Sequence, residues 1–367
     1  MSDFNFGPFF RLTVGFVLTA AGPSHATVPQ LAATMTVYDG PLAHEIDIKL
    51  RPDSRMTVFT PDGQRELAIE TAWPAQPMRE GWLALSTGYR RDTMRFTIGG
   101  KGYPNILSEL EWQVPALQIR ADGGWTHASG ATIKGYLAYA RSWADGQNRD
   151  SDYALDNRQA EFSRSYADTT GSEMFDVLLG AGWRLPLGAN AALTPLFGLA
   201  RYEGNYRSSN GRQVVSDAAN AALLGIAWNA PLGPFAGLNS RYRPVWTSAW
   251  LGLDGEWKAG QAITLHGGIK HHWFDYKAEA DWNLRGDLAH PVSFMHQDSG
   301  KGWEAEVGLA IRLSGAHHLK LDLTKREMKT RQGQDTTFFY NGASSMIDLG
   351  EAVLASWAIN LGYRYAF

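Results

Sequence analysis

Apolar and polar positions alternate with period two through most of the chain, most cleanly at its end. In Trp357–Phe367 every odd position is apolar or aromatic (Trp357, Ile359, Leu361, Tyr363, Tyr365, Phe367), and every even one is small or polar (Ala358, Asn360, Gly362, Arg364, Ala366). A strand alternates its faces, so this segment has one greasy face and one polar or cramped face. That pattern suits a strand with lipid on one side and a barrel interior on the other. The same alternation predicts ten long strands: 83–98, 107–125, 132–143, 174–185, 193–206, 238–257, 262–274, 303–313, 319–329 and 353–367. Short links alternate with long polar ones, the pattern of an up-and-down antiparallel barrel with short periplasmic turns and long extracellular loops. The stretch 208–237 is irregular, and Ala219–Trp228 reads as an extra strand.

Ahead of the barrel, residues 27–80 hold shorter alternating runs between turn signals such as Asp39-Gly40 and Pro61-Asp62-Gly63, which reads as a small β-rich periplasmic extension. Residues 1–26 have signal-peptide grammar: Arg11, an apolar run Leu12–Ala21, and Ser24-His25-Ala26 before a cut ahead of Thr27. The expected division is therefore 1–26, 27–80 and 81–367.

Composition agrees with an exported barrel. The chain has 14 Trp, 14 Tyr and 39 Gly but no mature apolar run long enough for a membrane helix, which leaves strands to cross a bilayer and aromatic residues to form its girdles. Cysteine is absent, so disulfides and thiolate metal sites are excluded. A net charge of -3 argues against a nucleic-acid partner. A passive porin is disfavoured because a ten-stranded barrel is narrow and its interior is filled.

Two carboxylates stand out. Asp150 and Asp152 are two apart, so an extended backbone puts both on one side, and parity carried from the preceding strand aims them inward at the mouth. Mutual repulsion would raise one pKa and let the pair share a proton. The plainer reading is a solvated acidic loop with loose Ca²⁺ affinity through Asp145, Asn148, Asp150 and Asp152.

The run Ser108-Glu109-Leu110-Glu111-Trp112, the segment containing Asp150-Ser151-Asp152-Tyr153, and the spacing from there to Phe367 resemble the omptin family of outer-membrane endopeptidases. The resemblance covers about 83–367. It implies a ten-stranded barrel with an extracellular cleft in which two aspartates face an Asp-x-His couple, a water attacks the peptide bond, and basic residues flank the cut. On this chain it places Asp150 and Asp152 on one wall, with Asp281 and the substrate-binding Glu279 on the other. Asn283 stands where the family has its histidine, and Tyr166 replaces a further one. A carboxamide lacks imidazole's basicity, so Asn283 can orient a water but not deprotonate it.

Three catalytic routes follow: a carboxylate pair with an acidic optimum, a dyad completed by His272, His290 or His296, or a conventional dyad in another register. Against them stands an inactive barrel whose loops serve adhesion or surface binding. Strict alternation from Ile263 also points Asp281 outward unless a bulge intervenes. The resemblance further implies lipopolysaccharide as a lipid activator, held by Tyr202, Glu203 and Arg207, with no metal or other cofactor. The expected setting is a monomer in the bacterial outer membrane, with peptide or protein substrates at the cell surface.

Overall fold

The computed structural model describes residues 80–367 in full and, before them, only the backbone of six strands. The chain divides into two units at Pro77/Met78. In the first, strands Ser2–Asn5, Arg11–Val17, Leu31–Asp39, Leu42–Leu50, Arg55–Thr60 and Gly63–Ala68 form an antiparallel meander. The cleavage site expected before Thr27 lies outside the described residues.

The second unit is a membrane-spanning barrel. Its elements are β1 (Glu80–Gly99), β2 (Ser108–Thr126), β3 (Ala131–Ser142), β4 (Gln147–Leu155), β5 (Gln159–Asp168), β6 (Glu173–Trp183), β7 (Ala191–Ser216), β8 (Asn239–Ala259), β9 (Ile263–Asp281), β10 (Phe294–Ser314), β11 (His317–Thr330), β12 (Gly333–Phe338) and β13 (Ser344–Ala366). Ten of these form a closed antiparallel ring, β1-β2-β3-β6-β7-β8-β9-β10-β11-β13, which β13 completes by pairing with β1 from Asp348↔Gly99 to Ala366↔Trp82. All ten are the strands that alternation predicts. The register carries Phe367 back to Gly81, where each backbone N–H donates to the other's carbonyl at 2.8–2.9 Å. Closure leaves no ring edge unpaired, which is what allows a sheet to sit in lipid.

The pleat sorts the side chains. Leu83, Leu85, Leu137, Leu179, Phe197, Leu199, Ile269 and Ile359 are exposed on the outer face as a lipid-facing band. Trp125, Trp183, Trp257 and Phe367 rim the band at the short-turn end, and Tyr139, Trp273 and Trp357 at the other. Even positions point inward, where charged groups pair. Arg326 donates to Glu304 (2.7 Å), Asp176 (3.0 Å) and the Tyr136 hydroxyl (2.7 Å). Its guanidinium also lies 3.6 Å from the Tyr202 ring centroid. Lys270 holds the other Glu304 oxygen at 2.9 Å, and Arg90 bridges Asp92 and Asp176. Gly308 makes room for one such contact. It sits between His266 and Asp322 in a single rung, and a Cβ there would lie within 2.5 Å of both side chains, which instead meet 2.7 Å apart.

Above this network an aromatic layer crosses the lumen: Phe96, Trp112, Tyr206, Tyr242, Trp246 and Tyr276, each at most 1% exposed. Trp112 stacks on Tyr242 with centroids 5.1 Å apart and planes 5° apart. Charge pairs below and stacked rings above fill the interior, so no diffusion-pore conductance is expected in planar bilayers. Stable ohmic steps from the wild-type barrel would overturn this view of the lumen.

At the extracellular end the strands outgrow the bilayer. β4 and β5 form a hairpin inserted between β2 and β7, and β12 bridges β10 and β13. Residues 219–228 form no strand. They hold a short helix, α1 (Ala218–Ala222), and turns, because Asp217 caps the helix by accepting from Ala219 N (2.9 Å) and Asn220 N (3.0 Å).

Candidate functional site

The inward face of β4 carries the paired aspartates. Asp150 stands opposite Leu110 and Ser165, and Asp152 opposite Ser108 and Ser163. The neighbouring even position, Asn148, is buried and accepts from Ser208, whose hydroxyl also takes the Trp112 indole N–H (3.1 and 3.0 Å). The pair thus sits at the edge of the aromatic layer, towards the extracellular end.

The opposite face of the hairpin is locked. Glu109 on β2 is 3% exposed and accepts from Arg158 (2.7 and 3.0 Å), Arg95 (3.1 Å) and Arg149 (3.4 Å). The β4–β5 turn takes Asn157 and Arg158 into the left-handed region, at φ 58° and 61°, which returns Arg158 onto Glu109. Asn105 staples the same turn by donating its N–H to Asp156 (2.8 Å) and accepting from Asn157 N (2.9 Å). Glu109 therefore fixes from outside the hairpin that presents the aspartates inside.

Electrostatics then sets the charge state of the pair. Burial, with the Asp152 charge beside it, pushes the Asp150 carboxyl well above the usual range. Burial pushes Asp152 to about 6, outweighing hydrogen bonds from Ser108 and Ser163. The positive charge of Arg285, in the loop after β9, pulls both down. Arg285 is thus the cation that acts on the pair from the other wall, and a bidentate bond to Asp287 (2.7 and 2.8 Å) orients it.

The residues expected on that wall are placed differently. Asp281 ends β9 at an odd, outward-parity position beside Arg241, and its Oδ1 accepts from His290 Nδ1 at 2.7 Å. The inward position is taken by Trp282, packed edge-on against Trp112 with centroids 6.4 Å apart. Asn283 is spent on backbone: it accepts from Asn239 N (2.8 Å) and Ser240 Oγ (3.1 Å) and donates to Gly237 O (2.7 Å). Glu279 also faces outward, 3.9 Å from Arg243. Asp281 and Glu279 thus keep outward parity, away from the inward face that carries Asp150 and Asp152, because alternation runs unbroken to the end of β9.

Of the other candidate histidines, His272 is buried inside the bilayer-spanning part against Ser248 (3.1 Å). His296 is buried beside Tyr242 (2.8 Å) and 3.6 Å from Asp335. Burial lowers His296 to about 3 and raises Asp335 to about 7. The lipid-binding set also divides. Tyr202 is 1% exposed, points into the lumen and cannot meet lipid on the outer face, whereas Glu203 pairs with Arg201 outside and Arg207 has outward parity.

A possible metal-ligating group, His266, Glu306 and Asp322, lies deep in the lumen with ligand atoms within 4.8 Å of one another. Arg120 and Lys320 already hold its carboxylates at 2.7 and 2.9 Å, which leaves a cation little to gain. Sequence reasoning missed Glu109 and Arg285. Neither has a local signature, since the arginines that meet Glu109 lie far from it in sequence.

The family model of the Protochlamydia outer membrane protein matches residues 84–367. No curated protein matches the sequence. Among solved structures, the outer membrane protease OmpT from Escherichia coli is similar with a TM-score of 0.65 at 14% identity, covering 81% of this chain and 99% of that one. The translocator domain of the autotransporter NalP from Neisseria meningitidis gives a TM-score of 0.33 at 12% identity, covering 82% and 92%. At 14% identity the likeness to the OmpT structure is one of fold.

Proposed function

Because this chain belongs to the Protochlamydia outer membrane protein family and is an outer-membrane barrel, we propose that it acts at the cell surface as a binding protein for cationic peptide segments, which it takes at the Asp150/Asp152 pair. One observation carries this reading: two partly buried carboxylates on a rigidly clamped hairpin whose opposing charge is an arginine, Arg285. An incoming Arg or Lys side chain would replace that counter-charge and draw both carboxylates into the ionised state. The arginine that faces the pair suits exchange for a cationic side chain, which favours binding over hydrolysis.

Endopeptidase activity is the second reading, favoured by the Asp281–His290 couple. There the carboxylate orients the imidazole through Nδ1 and leaves Nε2 to accept a proton from water. Lipopolysaccharide is the proposed lipid partner. A groove of about 770 Å³ on the outer face, with Arg201, Arg243 and Lys277 beside Glu203 and Met295, offers cations and apolar surface.

The readings separate when the refolded full chain, with lipopolysaccharide, is incubated with a dibasic peptide and with its glutamine analogue. Anisotropy should report binding of the basic peptide alone, weakened at least tenfold by Asp150→Asn with Asp152→Asn, and mass spectrometry should recover it intact. Cleavage abolished by His290→Ala would instead establish the enzyme.

A further inference from the structure

The lower lumen contains a chamber that the extracellular reading does not use. It measures about 130 Å³, lies towards the short-turn, periplasmic end, and is lined by Trp82, Lys320 and Arg364 together with the acids Asp122, Glu256 and Glu306. Most of its cations are paired: Arg184 with Glu256 (3.2 Å), Lys320 with Asp322 (2.9 Å), and Lys134 with Asp254. Arg364 is different. Among the described residues it makes no ion pair, and its Nε is buried without a hydrogen-bond partner.

Its surroundings hold it in place nonetheless. The guanidinium lies 4.6 Å from the centroid of the Trp82 ring, and Lys320 Nζ lies 5.7 Å from the same ring. Gly124 is what admits the indole, since a Cβ there would come within 2.6 Å of Trp82 Nε1. Two cations therefore lie beside one indole in a partly enclosed space, one of them with no carboxylate at ion-pair distance among the described residues. Cation–π contact offsets part of the desolvation cost of a guanidinium but leaves its N–H donors unused. A planar fork of unused donors matches an oxyanion.

We propose that this chamber is a binding site for a small oxyanion, a carboxylate or a phosphate, taken from the periplasm by Arg364, with Trp82 as the platform and Lys320 as the second cation. The chamber volume suits inorganic phosphate or a short carboxylate, and the filled upper lumen closes the extracellular route to it.

The test is titration of the refolded full chain in micelles with inorganic phosphate and, separately, with acetate, at constant ionic strength set by chloride, read by calorimetry. Saturable binding of either supports the site, and the stronger of the two assigns the class. Arg364→Gln should weaken binding at least tenfold, and Arg364→Lys, which keeps the charge without the fork, should fall between. Heat-modifiable gel mobility checks that each variant is folded. Should Arg364→Gln not fold, Trp82→Leu, which removes the platform and keeps both cations, decides by the same tenfold criterion. Saturation by neither anion, or unchanged affinity in Arg364→Gln or Trp82→Leu, overturns the proposal.

Discussion

Arg326→Ala is expected to destabilise the barrel by about 3–5 kcal/mol, the range for stripping one partner from a buried ion pair. Arg326 is the hub of the lumen. It holds Glu304 through two nitrogens, reaches Asp176, and receives the Tyr202 ring on its face. Glu304 is fully buried, and without Arg326 it keeps Lys270 and the Tyr136 hydroxyl but loses its charge-assisted bonds on Oε2. Asp176 keeps Arg90, while its second oxygen already lacks a partner. Urea unfolding in lipid vesicles, followed by tryptophan fluorescence, measures the loss. The double variant Arg326→Ala with Glu304→Ala should cost less than the two single losses combined, because removing both charges leaves neither stranded. Strict additivity would show that the two side chains act separately.

The Asp150/Asp152 pair should make stability fall as pH rises. Both carboxyls are raised in the folded chain, Asp152 to about 6, whereas the unfolded chain releases these protons near the ordinary carboxylate value. Between about pH 4 and 7 the folded state thus binds more protons, and unfolding becomes easier with each step upward. Asp152→Asn should leave stability unchanged at pH 4 and raise it at pH 8 by about 1–3 kcal/mol, the upper figure being the full shift and the lower allowing for partial exposure. Equal effects at the two pH values would mean that the carboxyl titrates normally. Binding of a cationic peptide runs the other way and strengthens as pH rises through 6, since it needs the ionised pair. A site that becomes less stable and more avid over the same interval is the signature of carboxylates held for a ligand.

Alternation along the chain was sufficient for the ring. Period two in segments such as Trp357–Phe367 is a local property, and a lipid-facing strand must display it because the bilayer accepts no polar side chain outward at its centre. The ten strands were legible for that reason. The β4–β5 hairpin was not, because it stands above the bilayer, where its outward face is covered by charged neighbours rather than lipid, and the alternation dissolves into Arg149, Ser151 and Tyr153.

The same local rule settled Asp281. Parity from Ile263 pointed it outward, and the structure keeps that parity, with His290 as its partner and Trp282 on the inward side. The inward aim of Asp150 and Asp152 was likewise a matter of spacing two apart.

What tertiary structure alone decided are the contacts between residues far apart in sequence. Arg285 acting on Asp150, Glu109 gathering Arg95, Arg149 and Arg158, and Arg364 resting unpaired on Trp82 each depend on how ring closure and loop packing bring distant strands together. Side-chain direction follows from a residue's own strand, so the sequence determined compartment, strand count and facing. Which charge meets which across a lumen depends on the register of every intervening strand, and only the folded barrel determines that.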